Sequence, residues 1–322
     1  MGIVTGIRSA LRGRPVYRDF HGADPDAALI KDALQRRDLA PIVELIRQQR
    51  GGAWGDRHFL CEVVARQAPA DLLDALCRSD SRNAIAHLLR GAKGIFEAWE
   101  DRGPEDTLTS QKWTAFQRRL QASQKQLERA ATLDPVDPTP HVYMLTIGRG
   151  LHQPAGGACE HFDRAVARDP LHFQAHAEML SLLCAKWGGS HESMFEFARA
   201  AAAAAPEGNE LRLIVMLAHI ERWHYSYAME GDEPAAAAWV AAPAVQQETI
   251  AAYSSSLFSD FHVPGRYTPQ RRNEAAFWFH LGGDRDRLRR EMHALGRVWT
   301  ETPWDYLGDP RTVFEQARKT AM

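Results

Sequence analysis

One residue spacing recurs three times in the middle of this chain and constrains its fold more than any other feature. Ala158, Phe162, Ala165 and Pro170 follow the pattern A-x3-F-x2-A-x4-P. The same frame occurs upstream as Ser123, Leu127, Ala130 and Pro135 and downstream, with one extra residue before the proline, as Ser193, Phe197, Ala200 and Pro206. The prolines lie 35 and 36 residues apart. This period is typical of helix-turn-helix repeats, which bury their apolar faces against neighbouring repeats.

The composition suits a helical chain with a substantial core. Of 322 residues, 45% are hydrophobic and 25% are charged, so the chain can bury a core in one elongated or two compact units. The net charge is −2 and the isoelectric point is about 6.7. Such a chain has no overall field that attracts polyanions. We therefore expect no nucleic-acid partner.

Cysteine usage and the N-terminal sequence favour a cytoplasmic location. The four cysteines lie in apolar helical stretches without metal-ligand spacing, and we expect them to be reduced and buried: Cys61, Cys77, Cys159 and Cys184. Residues 1–14 mix isolated apolar residues with arginines and lack the apolar run of a signal peptide. No run approaches the roughly 20 apolar residues of a transmembrane helix. The N-terminal segment is expected to be a packed or disordered arm, or alternatively to touch a membrane surface.

Helical signals dominate the chain, and strand signals are nearly absent. We predict an all-α fold, a stack of antiparallel helix pairs (an α-solenoid) with an irregular helical C-terminal cap. The predicted segments are an N-terminal arm at 1–24, a helical block at 25–103, repeats at 104–230, and a cap at 231–322 that contains a loop at 254–269. Helices are predicted at about 105–133, 171–187, 190–205, 210–227, 285–299 and 310–321.

The frame of Ala158, Phe162, Ala165 and Pro170 resembles the second helix and closing turn of a tetratricopeptide repeat (TPR). The resemblance implies a TPR-like stack in which the first helix of each pair lines a concave groove. The first-helix Trp, Leu, Gly and Tyr that are typical of TPRs are missing from their usual places. The peptide-carboxylate clamps of TPR proteins are therefore not transferred to this sequence.

A second motif joins two helices within the repeats. In the run from Lys186 and Trp187 to Gly188, Gly189 and Ser190, the glycines can close one helix and the serine can cap the next. With the apolar helix that follows, this run resembles an uncharacterised bacterial family of TPR-like proteins over at most residues 120–223. That family implies no activity for this chain.

Two histidines have a spacing that suits metal ligation. His172 and His176 are four residues apart and would share a helix face. No third ligand is indicated, and a chain with 14 histidines contains such pairs by chance. We expect no metal site.

Six residues form the predicted binding site: Lys186, Trp187, Arg212, His219, Trp223 and His224. Arg212, His219 and Trp223 are spaced seven and four residues apart and would share a face of one helix. In a TPR-like groove, Arg212 and His219 would offer charge and hydrogen bonds to a peptide or an acidic ligand, and the tryptophans would offer stacking surface. The alternative is that Trp223 is a core residue and Arg212 a solvated one.

Recognised catalytic and cofactor motifs are missing from the sequence. It has no G-x-S-x-G elbow, P-loop, G-x-G-x-x-G after a strand, H-E-x-x-H or D-D-x-x-D. We expect no cofactor. Catalysis stays open, although a pair such as His219 with Glu221 is two residues apart and would not share a helix face.

The sequence favours a cytoplasmic interaction module that binds a protein or peptide in a concave groove. The alternative is a helical enzyme or small-ligand binder with a pocket between the repeats and the C-terminal cap. An open polar groove favours the first, and a cavity with several titratable groups beneath the 254–269 loop favours the second.

Overall fold

In the computed structural model, residues 18–103, 109–151 and 155–322 can be described, and they are almost entirely helical. The prediction of an all-α chain is confirmed at this level. Most of the predicted N-terminal arm lies outside the described residues. Among the described helices, none combines the length and the apolar character needed to cross a bilayer.

Sixteen α-helices occur in the described residues. They are α1 (Ala27–Gln35), α2 (Ala40–Gln48), α3 (Trp54–Gln67), α4 (Ala70–Ser79), α5 (Ala84–Arg102), α6 (Ser110–Leu133), α7 (Thr139–Gly150), α8 (Ala155–Val166), α9 (Phe173–Leu183), α10 (His191–Ala204), α11 (Ile214–His224), α12 (Glu233–Ala241), α13 (Pro243–Ser254), α14 (Thr268–Leu281), α15 (Arg285–Leu295) and α16 (Pro310–Ala321). The two-residue strands β1 (Arg18–Asp19) and β2 (Val298–Trp299) pair in parallel.

The chain groups into two compact units. The larger is Pro25–Thr268, and the smaller joins the described residues 18–24 with Pro269–Met322. The boundaries predicted from the sequence after residues 24, 103 and 230 stay predictions.

Helices of the larger unit pack mainly on their neighbours in sequence and on the next helix but one. Helix α7 contacts α6, α8 and α9, and α9 contacts α7, α8, α10 and α11. Ala165 of the repeat frame is buried against Val142 of α7 and Ala175 of α9. Small residues at this crossing let the three helices approach closely.

The upstream frame packs on the preceding helix. Ser123, Leu127 and Ala130 of α6 are all buried. A side chain on Gly91 of α5 would come within 2.7 Å of Leu127, so glycine permits this close contact. In the downstream frame Ala200 is exposed.

Several predicted helices end earlier than the sequence suggests. The helix predicted at 171–187 stops at Leu183, and a 3-10 turn at Ala185–Trp187 follows. Gly188 takes a left-handed φ of 92° there. Ser190 and Ser193 form the expected capping box for α10.

The helix predicted at 210–227 is divided into three helical segments of different type. A 3-10 turn at Glu210–Leu213 precedes α11, and a π-helical turn at Tyr225–Met229 ends it. The Asn209 side chain accepts from the Leu211 N–H and so fixes the tight first turn.

The smaller unit has an aromatic core built on α14. Residues 275–279 of that helix are all buried, and so is Trp304. Trp304 Nε1 donates to Asn273 Oδ1 at 2.8 Å. The helix predicted at 285–299 ends at Leu295, because Gly296 adopts a positive φ of 58°.

Cysteine burial differs from the expectation at two positions. Cys61 and Cys184 are buried and Cys77 is intermediate, but Cys159 is exposed. All four are free thiols. The prediction that all four are buried is wrong at Cys159, which is exposed on α8, and holds only in part at Cys77.

Candidate functional site

The predicted site residues of the 186–190 turn are already engaged with neighbours. Lys186 Nζ pairs with Glu221 Oε2 at 2.5 Å. Trp187 packs edge-on against Trp99, and the Arg149 guanidinium lies 5.6 Å from the Trp187 ring centre. This turn therefore links α9 to α5, α7 and α11 through its side chains.

The two predicted site histidines on α11, His219 and His224, both have lowered pKa values. His219 is 1% exposed, and its Nε2 donates to Glu248 Oε2 at 2.9 Å. Arg199 binds the same carboxylate through Nε at 2.6 Å. Burial lowers the pKa of His219, against the opposing effect of Glu248. Burial, then the charge of Lys186, also lowers the pKa of His224.

The last two predicted residues, Trp223 and Arg212, make contacts inside the fold. Trp223 is buried and stacks on Tyr227, with ring centres 5.0 Å apart. Arg212 Nε donates to the Pro206 carbonyl at 3.0 Å. Trp223 is thus a core residue, as the alternative interpretation held. The structure does not gather the six residues at one exposed surface, and their role toward a ligand stays a prediction.

A cleft of about 570 Å³ lies elsewhere in the larger unit. Its walls come from four segments, at residues 52–56, 169–174, 206–211 and 261–267. The middle two are the turns before α9 and before α11. The last belongs to the loop between α13 and α14, so the cleft lies beside the loop that the sequence predicts at 254–269.

Buried contacts anchor the C-terminal end of this loop. Tyr267 Oη donates to Glu62 Oε2 at 2.9 Å. Because the hydroxyl proton is used there, His58 Nδ1 carries the proton in its 2.7 Å bond to Tyr267 Oη. Arg266 Nη2 pairs with Asp26 Oδ2 at 2.6 Å.

A further contact of the loop is made by its backbone. Gly208 has a φ of 81°, and its N–H donates to the Ser255 carbonyl at 2.9 Å. An added Cβ at Gly208 would lie 2.4 Å from the Phe261 carbonyl carbon. Only glycine fits this approach of the loop to the turn before α11.

The cleft is rich in carboxylates. Among the described lining residues, Arg266 carries the one permanent positive charge. Four acidic side chains line the cleft: Asp56, Asp169, Glu207 and Glu210. Glu210 accepts from His262 Nε2 at 3.0 Å. Asp56 Oδ2 lies 3.9 Å from Nε of Arg266, whose Nη2 already pairs with Asp26.

Asp169 and Glu207 differ from the other two. Within the described part of the chain, neither has a cationic side chain at ion-pair distance. Asp169 Oδ1 accepts from the Leu171 N–H at 3.3 Å, and Glu207 Oε1 accepts from Ser259 Oγ at 3.3 Å. Partial burial raises the pKa of Asp169. Both carboxylates therefore bring negative charge to the cleft lining that no described cationic side chain pairs with.

His172 lines the cleft and caps α9. It is 1% exposed, and its Nδ1 accepts from the Ala175 N–H at 3.3 Å. The proton of the neutral ring therefore sits on Nε2, a buried donor without a partner in the described residues. Burial lowers the pKa of His172 to about 3, so the ring is neutral at physiological pH.

The predicted histidine pair is used structurally. His176 Nδ1 lies 3.0 Å from the His172 carbonyl oxygen. In the described residues, no group of three or more His, Cys, Asp or Glu side chains could hold a metal ion.

Apolar side chains stand at the rim of the cleft. Phe261 is 69% exposed and Val263 is 82% exposed. Leu171, Phe173 and Leu211 continue the apolar lining inward. The cleft thus combines acidic lining residues with exposed apolar ones.

Sequence reasoning missed these cleft residues, although the repeat frame contained a signal. A carboxylate adjoins each closing proline, in Asp134-Pro135, Asp169-Pro170 and Pro206-Glu207. Repeats that stack in register bring such turns to one edge of the stack. The nearness of the 261–267 segment could not be read from the sequence.

No match is found when the chain is compared with protein-family models, with curated proteins and with solved structures. What the cleft can bind is therefore inferred from its own residues.

Proposed function

We propose that this protein is an interaction module that holds a segment of another protein in the cleft beneath the 254–269 loop. The observation that carries the proposal is the pair Phe261 and Val263, which line the cleft and stay largely exposed. Exposed apolar side chains beside a concave surface mark sites of protein contact. A bound segment would cover both.

The scaffold that we propose for this module is a TPR-like stack. Its support is the packing of α7, α9 and α11 in succession, each beside its own partner helix, and the recurring frame at about 35 residues. The turns between repeats would then supply two walls of the cleft. The resemblance to the bacterial TPR-like family at Lys186 and Trp187 fits the same scaffold, with a structural role for both residues.

The proposed site of action is the cytoplasm. Free thiols at all four cysteines support this location, because disulfides form mainly in exported proteins.

A small-molecule binder or helical enzyme is the second candidate. Its support is the cleft volume of about 570 Å³, which suits a small ligand. A hydrogen-bonded chain from Glu62 through Tyr267 to His58 also reaches the cleft wall. A small ligand would leave the protruding Phe261 and Val263 uncovered, so the peptide-binding function is preferred.

A random peptide display library, selected on the whole protein, tests the proposal. Selected peptides should bind the protein and lose at least about tenfold in affinity when Phe261→Ser and Val263→Ser are combined, because about 1.5–3 kcal/mol accompanies burial of each side chain. Fluorescence polarisation measures the dissociation constants.

The matched control is Val136→Ser with Met229→Ser, which removes two other exposed apolar side chains that do not line the cleft. Its affinities should equal those of the wild type. Failure to select any peptide, or equal losses in both double variants, would contradict a peptide site in the cleft.

A further inference from the structure

We infer that the segment bound in the cleft is basic, with a lysine or arginine side chain placed between Asp169 and Glu207. This inference rests on the proposed function and adds the chemistry of its ligand. The two carboxylates belong to different turns, one before α9 and one before α11, and both line the same cleft. A single cation between them would face both.

The local cations do not already fill this role. Arg266 is held by Asp26 at 2.6 Å, with Asp56 at 3.9 Å on its other side. Glu210 is engaged by His262. Asp169 and Glu207 are therefore the lining carboxylates whose charge no described side chain balances. A positive group from outside would supply the missing half of the ion pair.

His172 provides a second, independent sign of an absent ligand. This lining side chain is buried, and its Nε2–H has no acceptor among the described residues. Buried polar groups are nearly always satisfied, so an orphan in a cleft wall points to a partner that binds there. An acceptor such as a main-chain carbonyl would satisfy the Nε2–H.

A basic peptide carries all three features that the cleft lacks. Its cation matches Asp169 and Glu207, its carbonyl groups match His172, and its apolar side chains cover Phe261 and Val263. An acidic peptide would meet unbalanced like charge, which opposes binding. A divalent cation would match only the carboxylates, and would leave His172, Phe261 and Val263 without a partner from the ligand.

The experiment compares selected peptides with analogues in which citrulline replaces arginine or norleucine replaces lysine. Binding is measured with the wild type, with Asp169→Asn/Glu207→Gln, and with the control Glu192→Gln/Glu196→Gln. The control neutralises two exposed carboxylates of α10 that lie outside the cleft lining. Thermal melts verify that all three proteins are folded.

We expect basic residues to be enriched in the selected peptides. Loss of the peptide cation should weaken binding to the wild type and the control about five- to tenfold. Binding to Asp169→Asn/Glu207→Gln should be weak for both peptide forms, with no difference between them. Raising the salt concentration should weaken wild-type binding, because part of the pair is exposed.

The two proposals fail in different ways. Peptides that need Phe261 and Val263 but bind equally well without their cation would overturn the basic ligand and leave the peptide site standing. An equal cation effect in the wild type and in Asp169→Asn/Glu207→Gln would also overturn it. Absence of any peptide binding, with or without binding of Ca²⁺ or Mg²⁺ alone, would overturn both.

Discussion

At the scale of single residues, His172 shows how one side chain serves fold and site together. Its Nδ1 caps α9, which fixes the tautomer and leaves the Nε2 proton facing no acceptor in the described residues. The sequence drew attention to His172 only because His176 lies one turn further on, at a spacing that suits metal ligands. The pair in fact shares a hydrogen bond from ring to backbone. Spacing alone could not distinguish a capping histidine from a ligand.

The protonation of His172 should make stability depend on pH. The folded state keeps the ring neutral with a pKa of about 3, whereas the unfolded chain takes up a proton below about pH 6.5. The contribution of His172 to the free energy of unfolding is therefore fully present above about pH 6.5. It falls on acidification by about 1.4 kcal/mol per pH unit for one such group. His172→Asn keeps a capping side chain without the titration.

Urea unfolding of both proteins between pH 7.5 and 4.5 measures this effect. The free energy of unfolding of His172→Asn should decline less steeply below pH 6.5 than that of the wild type. Parallel curves would show that His172 is not held neutral by burial. Buried histidines that do not interact with His172, including His141 with a pKa lowered to about 4, contribute equally to both proteins and cancel in the comparison.

At the scale of elements, the loop between α13 and α14 depends on one turn of another helix pair. Gly208→Ala would place a methyl group 2.4 Å from the Phe261 backbone and strain a positive φ, at a cost of about 1–3 kcal/mol. We expect a lower melting temperature and at least a tenfold loss of peptide affinity, because the loop must move. Calorimetry and fluorescence polarisation test this.

Gly231→Ala is the matched control for the loop prediction. Gly231 also has a positive φ, of 65°, but an added Cβ would meet nothing within 4 Å. This variant should be strained yet retain peptide affinity. Equal affinities for the two alanine variants would mean that the contact with Phe261 does not position the loop.

Element prediction from the sequence succeeded where local chemistry decides. Helix α16 and the capping box of α10 occur as predicted, because proline and serine signals act within a few residues. The end of α9 and the division of the 210–227 helix were wrong, since they depend on turns closed by backbone bonds. Contacts between remote segments, including that of Gly208 with Phe261, have no local signature.

At the scale of the whole molecule, helices on both sides of residue 103 belong to one compact unit. A buried ion pair fastens them, since Arg57 of α3 contacts Asp137 before α7 at 2.7 Å, with 1% and 2% of the side chains exposed. Arg57 Nη1 also donates to the Ile46 carbonyl at 2.7 Å. Neither residue stood out in the sequence, because a buried pair looks like any two surface charges there.

Removal of one partner should therefore destabilise the larger unit strongly. Arg57→Met leaves Asp137 buried without its cation and should cost about 3–5 kcal/mol of unfolding free energy. Arg57→Met/Asp137→Asn should recover part of that loss. Urea unfolding checks these two proteins and Asp137→Asn alone, and a double variant as unstable as the sum of the single changes would argue against an ion pair at this position.

The anchoring of the loop through Tyr267, Arg266 and Gly208 has a kinetic consequence. A loop that is ordered before its ligand binds loses little conformational entropy on binding, so the cleft is preorganised. Association should then proceed without a slow rearrangement of the protein, at about 10⁵–10⁷ M⁻¹s⁻¹. Differences in affinity among ligands would appear as differences in residence time, and the lifetime of the complex would decide which partner this protein retains.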